Sequence, residues 1–180
     1  MKNFRLIFSL ILLLSGFSLA AQQEMINPVI KSFGGIIDAP HATEKPDPNM
    51  EYKVVIDVAS GNNNPEEVYF SLNNVARLMN LHAMGGVPQE NMKVVLAIHA
   101  GAIWSVLDNE SYRKKYEVDN PHIPLFKELK EAGVKIFVCS QSLLGRNLDH
   151  EKLAPGVEVA TSMLTTMTTY QLKGYAALKF

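Results

Sequence analysis

Apolar residues fall in short runs along this chain, each bounded by loop-forming residues. Residues 52–59 (YKVVIDVA), 93–99 (KVVLAIH) and 134–138 (VKIFV) are rich in β-branched side chains and carry few polar positions. That is the pattern of strands covered on both faces. Residues 157–160 form a fourth such run, and 175–180 a short last strand. Between the first two runs Val68, Leu72, Val75, Met79 and Ala83 recur at helical spacing. Asn64-Pro65-Glu66-Glu67 offers a cap, a first-turn proline and an acidic residue three positions after the cap, so a helix is predicted from Asn64 to about Met84. Gly85-Gly86 ends it.

Further helices are expected at 103–107, at 111–116, from Asn120-Pro121 through Ala132, and from a Ser162 cap to about Leu172. Helical turns are expected at 140–144 and 149–153. Four threonines make the last helix a weak former on propensity alone. Strands alternating with helices predict a single α/β domain in three layers, with a mostly parallel sheet between helices. In such sheets ligands bind beyond the carboxyl ends of the strands.

The amino-terminal part follows a different pattern. Lys2 and Arg5 precede a 14-residue apolar stretch, and Ser18-Leu19-Ala20 is a small-x-small cleavage signal. Residues 1–20 thus read as a signal peptide, too short to span a bilayer. The expected location is periplasmic or secreted, with no membrane attachment after cleavage. Residues 21–51 hold Pro28, Pro40, Pro46, Pro48 and the Gly34-Gly35 pair. No period survives there, so the segment reads as an extended arm or linker, with Phe33, Ile36 and Ile37 as candidate anchors.

Composition narrows the function. The 180 residues carry 17 Lys plus Arg against 18 Asp plus Glu, a formal net charge of −1. Removing the 20-residue leader leaves 160 residues, and losing Lys2 and Arg5 moves the charge to −3. That balance excludes a strongly basic nucleic-acid binder. One cysteine, Cys139, cannot close a disulfide within the chain or supply a multi-cysteine zinc site. No metal or cofactor site is read from the sequence: the histidines are scattered, and GxGxxG, Walker, HExxH and GxSxG motifs do not occur. The methionine spacing on the helices is that of core packing.

Cys139 follows the third strand and precedes a helical turn. Backbone N–H groups at a helix start favour the thiolate, the nucleophilic form. Ser140 and Ser142 are candidate hydrogen-bond donors to it, and Arg146 a candidate attractor of an anionic substrate. His99, at the carboxyl end of the second strand, could take a proton from the thiol or bind an anionic sulfur species. The same residues also fit blander roles. Cys139 could be a small buried hydrophobe, and His99 a histidine satisfied by backbone at a strand end.

The segment VKIFVCSQSLLGRNLD, followed by LAPGVEVATS and the ending QLKGYAAL, resembles the DsrE/DsrF-like sulfur-relay family. So do the opening YKVVIDVA, the helix carrying Asn73 and Asn74, and the strand KVVLAIHAGA. The resemblance covers residues 52–180. It implies a flavodoxin-like α/β domain that assembles into homo-oligomers. It also implies that Cys139, at the position of the family's sulfur-carrying cysteine, carries a persulfide and passes sulfane sulfur between a donor and an acceptor protein. Two departures stand out. The relay proteins work in a reducing cytoplasm whereas this chain bears an export leader, and their partner subunits are not visible in one sequence. Whether the chain is an enzyme, a sulfurtransferase or a sulfur carrier stays open. Two further classes stay open with it: a non-catalytic oligomeric binding module with a small-ligand crevice at the strand ends, and a thiol redox sensor.

Overall fold

The computed structural model of the protein describes residues 24–180. The expected signal peptide lies outside the described residues, as do residues 21–23 of the arm.

The apolar runs form five strands: β1 (Tyr52–Val58), β2 (Met92–Ile98), β3 (Lys135–Cys139), β4 (Val157–Ala160) and β5 (Ala176–Lys179). They make one sheet in the order β4-β3-β2-β1-β5, and every pairing is parallel. The helices are α1 (Phe70–Met84), α2 (Asn109–Tyr116), α3 (His122–Glu131), α4 (Ser140–Leu144) and α5 (Met163–Leu172).

Side chains alternate across a strand, so each run serves two layers. Val54, Ile56 and Val58 of β1, Val94, Leu96 and Ile98 of β2, and Ile136 and Val138 of β3 join Leu72, Val75 and Met79 of α1 and Leu125, Phe126 and Leu129 of α3 in one core. The opposite face holds Val55, Asp57, Val95, Ala97 and Phe137, with α5 laid against β1 and β2. The chain steps outward from β1 to β4, then returns through α5 to β5 on the other side of β1. This reversal puts α5 on the face opposite α1 and α3, as right-handed crossovers require.

Three boundaries differ from expectation. The first helix begins at Phe70, six residues after Asn64. The Asn64 side chain caps only a local turn, accepting the Glu66 N–H at 3.1 Å. The segment after it is tied sideways: Tyr112 donates its hydroxyl to the Pro65 carbonyl (2.9 Å), and the Tyr69 N–H donates to Nε2 of buried His122 (3.1 Å). Those bonds to α2 and α3 hold 65–69 out of the helix. The helix expected at 103–107 is a 3-10 segment from Ala100 to Val106. The α3 helix starts at His122, just after Pro121. The weak α5 does form, capped by Ser162 Oγ, which accepts the Leu164 N–H at 3.1 Å.

The arm docks on α1. Ile30 and Ile36 are buried, Phe33 packs partly against the core, and Ile37 stays 40 % exposed, so two of the three expected anchors hold the segment together with Ile30. Asn80, buried on α1, binds the arm backbone directly: Oδ1 accepts the N–H groups of Val29 (3.0 Å) and Ile30 (2.9 Å), and Nδ2 lies 3.0–3.1 Å from the carbonyls of Ile30, Phe33 and Gly34. Asn73 Oδ1 accepts the Gly34 N–H at 2.9 Å. Gly34 sits at φ +64, and a Cβ there would meet Arg77 N at 2.3 Å, so only glycine allows this approach.

Candidate functional site

Cys139 closes β3 and leads straight into α4. Its side chain meets the starts of two helices, because β4 lies beside β3 and turns into α5 through Thr161 and Ser162. Burial pushes the thiol pKa up. Hydrogen bonds from the Met163 N–H, from the hydroxyl and N–H of Ser142 and from the Gln141 N–H outweigh it, and the net shift is below the ordinary thiol value. The residue is 6 % exposed in the single chain. Cys139 is thus a small, mostly covered sulfur whose anion is solvated by protein donors.

Ser142 links this sulfur to the next strand. The Ala100 N–H lies 3.5 Å from Ser142 Oγ, and the Ser142 hydroxyl bonds Cys139. Ala100 takes a left-handed backbone, φ 48, immediately after His99. Nearby, the loops that follow β1 and β2 pack backbone on backbone. A Cβ on Gly61 would meet the Gly101 carbonyl at 2.7 Å, and the Ala102 N–H donates to the Ala59 carbonyl at 3.0 Å. The carboxyl end of the sheet is therefore a closely packed platform.

His99 and Cys139 each come one residue after the paired positions Ile98 and Val138 of neighbouring strands, and leave the sheet on the same face. The imidazole is drawn the other way, toward β1, where Nε2 lies 2.5 Å from Asp57 Oδ1. Both side chains are about 15 % exposed, at 15 % and 14 %. The second carboxylate oxygen of Asp57 lies 3.6 Å from Nζ of Lys179 on β5. Lys179 and Asp57 are level in register on β5 and β1, and His99 and Cys139 lie two residues further along, at the ends of β2 and β3.

The remaining sequence candidates divide. Ser142 takes the expected donor role. Ser140 turns away, donating its hydroxyl to the Thr161 carbonyl at 2.7 Å, which ties β3 to the β4–α5 turn. Arg146 is exposed, with Nη1 3.4 Å from the Ser142 carbonyl. Sequence reading missed Met163 and Gln141, whose contribution is backbone and carries no side-chain signature. It also missed Asp57, which does carry one: it is the sole charged residue inside the apolar core of the first strand, VVIDVA. Among the described residues no helix is long and apolar enough to cross a membrane.

The model of the DsrE/DsrF-like family matches residues 53–180. No curated protein matches the chain. Among solved structures, the fold is similar to a protein of unknown function, MTH1491 from Methanobacterium thermoautotrophicum, with 20 % identity, a TM-score of 0.54, and coverage of 72 % of this chain and 99 % of that one. It is similar also to the ychN protein from E. coli, with 21 % identity, a TM-score of 0.53, and coverage of 72 % and 99 %. Those two likenesses show the fold, and the family model, matching well over half of the chain, shows the membership. This chain, an all-parallel five-stranded α/β domain with a cysteine at the end of its third strand, belongs to the DsrE/DsrF-like family.

Proposed function

We propose that the protein carries sulfane sulfur as a persulfide on Cys139, outside the cytoplasm. The observation that carries this reading is the set of donors gathered on one covered sulfur: Met163, Ser142 and Gln141. A structural cysteine needs no such donors, whereas a thiolate and a persulfide anion both do. In the loading step the Cys139 thiolate attacks the outer sulfur of a donor persulfide, R–S–SH. A new S–S bond forms on Cys139, the donor S–S bond breaks, and its electron pair leaves on R–S⁻. Delivery repeats the step with an acceptor thiolate as nucleophile, so no net oxidant is needed.

The leader pattern of residues 1–20 supports the export part of the proposal. Family membership supports assembly into a homo-oligomer and exchange with donor and acceptor proteins. The test is intact-mass spectrometry after incubation with thiosulfate or polysulfide. The expected result is a gain of one sulfur atom that maps to Cys139 and is lost in Cys139→Ser.

A second reading rests on the 6 % exposure of Cys139. If the assembled protein buries the sulfur fully, the domain is a non-catalytic binding module. Slow alkylation of the native protein at neutral pH would favour that reading, and fast alkylation the carrier.

A further inference from the structure

We propose that Asp57 is a positioning residue that fixes His99 as the proton acceptor for the sulfur held on Cys139. The inference rests on the persulfide reading of Cys139 and adds to it a role for two residues that do not touch the thiol. A carboxylate in an apolar strand is costly unless paired. Asp57 is mostly covered, and its partners are His99 at 2.5 Å and, more loosely, Lys179 at 3.6 Å. With the carboxylate on Nε2, a neutral ring keeps its proton there and leaves Nδ1 as the free acceptor. On the side of β2 away from β1, the neighbouring strand β3 ends in Cys139.

The place agrees with the topology. The chain leaves β1 through α1 on one face and returns beside it through α5 on the other, so the carboxyl end of β1 is the reversal point of the sheet. Ligand crevices of open parallel sheets form at that point. Asp57 stands there, paired in register with Lys179. The imidazole contacts Asp57 from β1, Lys179 from β5 reaches the other oxygen of that carboxylate, and Cys139 ends the neighbouring strand β3. The overlying α5 (MLTTMTTYQL) carries no charged side chain.

The thiol already has its donors, so a base is not needed to ionise it. The proton that needs a place is the one on the incoming outer sulfur. When the Cys139 thiolate attacks R–S–SH, the donor leaves as R–S⁻ and the outer-sulfur proton passes to His99 Nδ1. The products are Cys139–S–S⁻ and an imidazolium beside the Asp57 carboxylate. On delivery the imidazolium returns the proton. Charge and atoms balance in both directions.

The test uses the full chain, polysulfide as donor and glutathione as acceptor, with loss of sulfur from Cys139 followed by intact mass. The wild type should show His99 as the Nε2–H tautomer in nitrogen-resolved imidazole spectra. In Asp57→Asn a mixture of tautomers and delivery slowed about tenfold are expected, with partial recovery in Asp57→Glu. The Cys139 alkylation rate, which reads the Met163 and Ser142 donors, should stay within about twofold. Delivery at the wild-type rate by folded Asp57→Asn would overturn the inference. If that variant does not fold, His99→Gln carries the test, with a loss of at least tenfold expected and an unchanged rate overturning it. A wild type that never loads sulfur shows itself before any variant is compared. It overturns the persulfide reading, and this inference with it.

Discussion

At the scale of single residues, the site depends on where a few N–H groups point. The thiol of Cys139 is lowered against the pull of burial because two helix starts and one hydroxyl converge on it. Ser142→Ala removes the hydroxyl and should slow alkylation of Cys139 at neutral pH several-fold, read by iodoacetamide labelling and mass spectrometry. Ser140→Ala should leave that rate alone, since its hydroxyl is spent on Thr161. His122 gives a prediction on stability. Burial pushes its pKa from 6.5 down to about 3, and its Nε2 accepts the Tyr69 N–H. A histidine depressed in the fold binds its proton mainly in the unfolded chain. Its neutral form is therefore fully favoured above pH 6.5, and stability falls as pH drops from 6.5 toward 3, by up to roughly 1.4 kcal/mol per pH unit from this group. Urea midpoints at pH 7 and pH 5 measure it, and His122→Gln should flatten the difference. Little of this was legible beforehand. Cys139, His99 and Ser142 stand out by residue type and position, but a hydrogen bond donated by the Met163 backbone leaves no trace in the letters.

At the scale of elements, pattern reading located every strand and most helices because apolar periodicity follows burial directly. It failed at the start of α1 for a specific reason. The Asn-Pro-Glu-Glu signature is a sound local start signal, yet Tyr69 and Pro65 are held by His122 and Tyr112 from segments far along the chain. Local sequence cannot show a tertiary bond of that kind. The arm shows a milder form of the same limit: its irregular backbone and the anchors Phe33 and Ile36 are legible in the sequence, and its bonds to α1 are not. Its prolines and glycines indicate irregular backbone, and it is irregular, but Asn80 and Asn73 on α1 bind it as closely as a strand would be bound. Asn80→Ala leaves the buried Ile30 N–H without its acceptor, at a cost of about 2–4 kcal/mol. The measurement is the thermal midpoint together with limited proteolysis, and cleavage should move into residues 24–37. Val75→Ala at the α1 core is a useful comparison: it should lower stability without opening the arm.

At the scale of the whole molecule, the reversal of the chain at β1 arranges the site. It brings β5 beside β1 and α5 over the site's face, so that Cys139, His99, Asp57 and Lys179 share one edge of the sheet. The expectation of a layered α/β domain holds at this level, and the sheet is wholly parallel rather than mostly so. The same face is thinly covered. Leu172 is 91 % and Leu164 67 % exposed on α5, and all four residues of β5 are exposed. Consistent with the proposed homo-oligomer, sedimentation should give a multiple of the monomer mass, and Leu172→Asp should shift the distribution toward monomer.

The central claim is that Cys139 receives and gives up sulfur. It is tested most directly by following the intact mass of the full chain through both steps, first with polysulfide and then, after the donor is removed, with glutathione. The account predicts a gain of one sulfur atom on Cys139 that returns to the starting mass as the acceptor takes it, with neither change in Cys139→Ser. No gain in the wild type, or a gain that persists in Cys139→Ser, would contradict it.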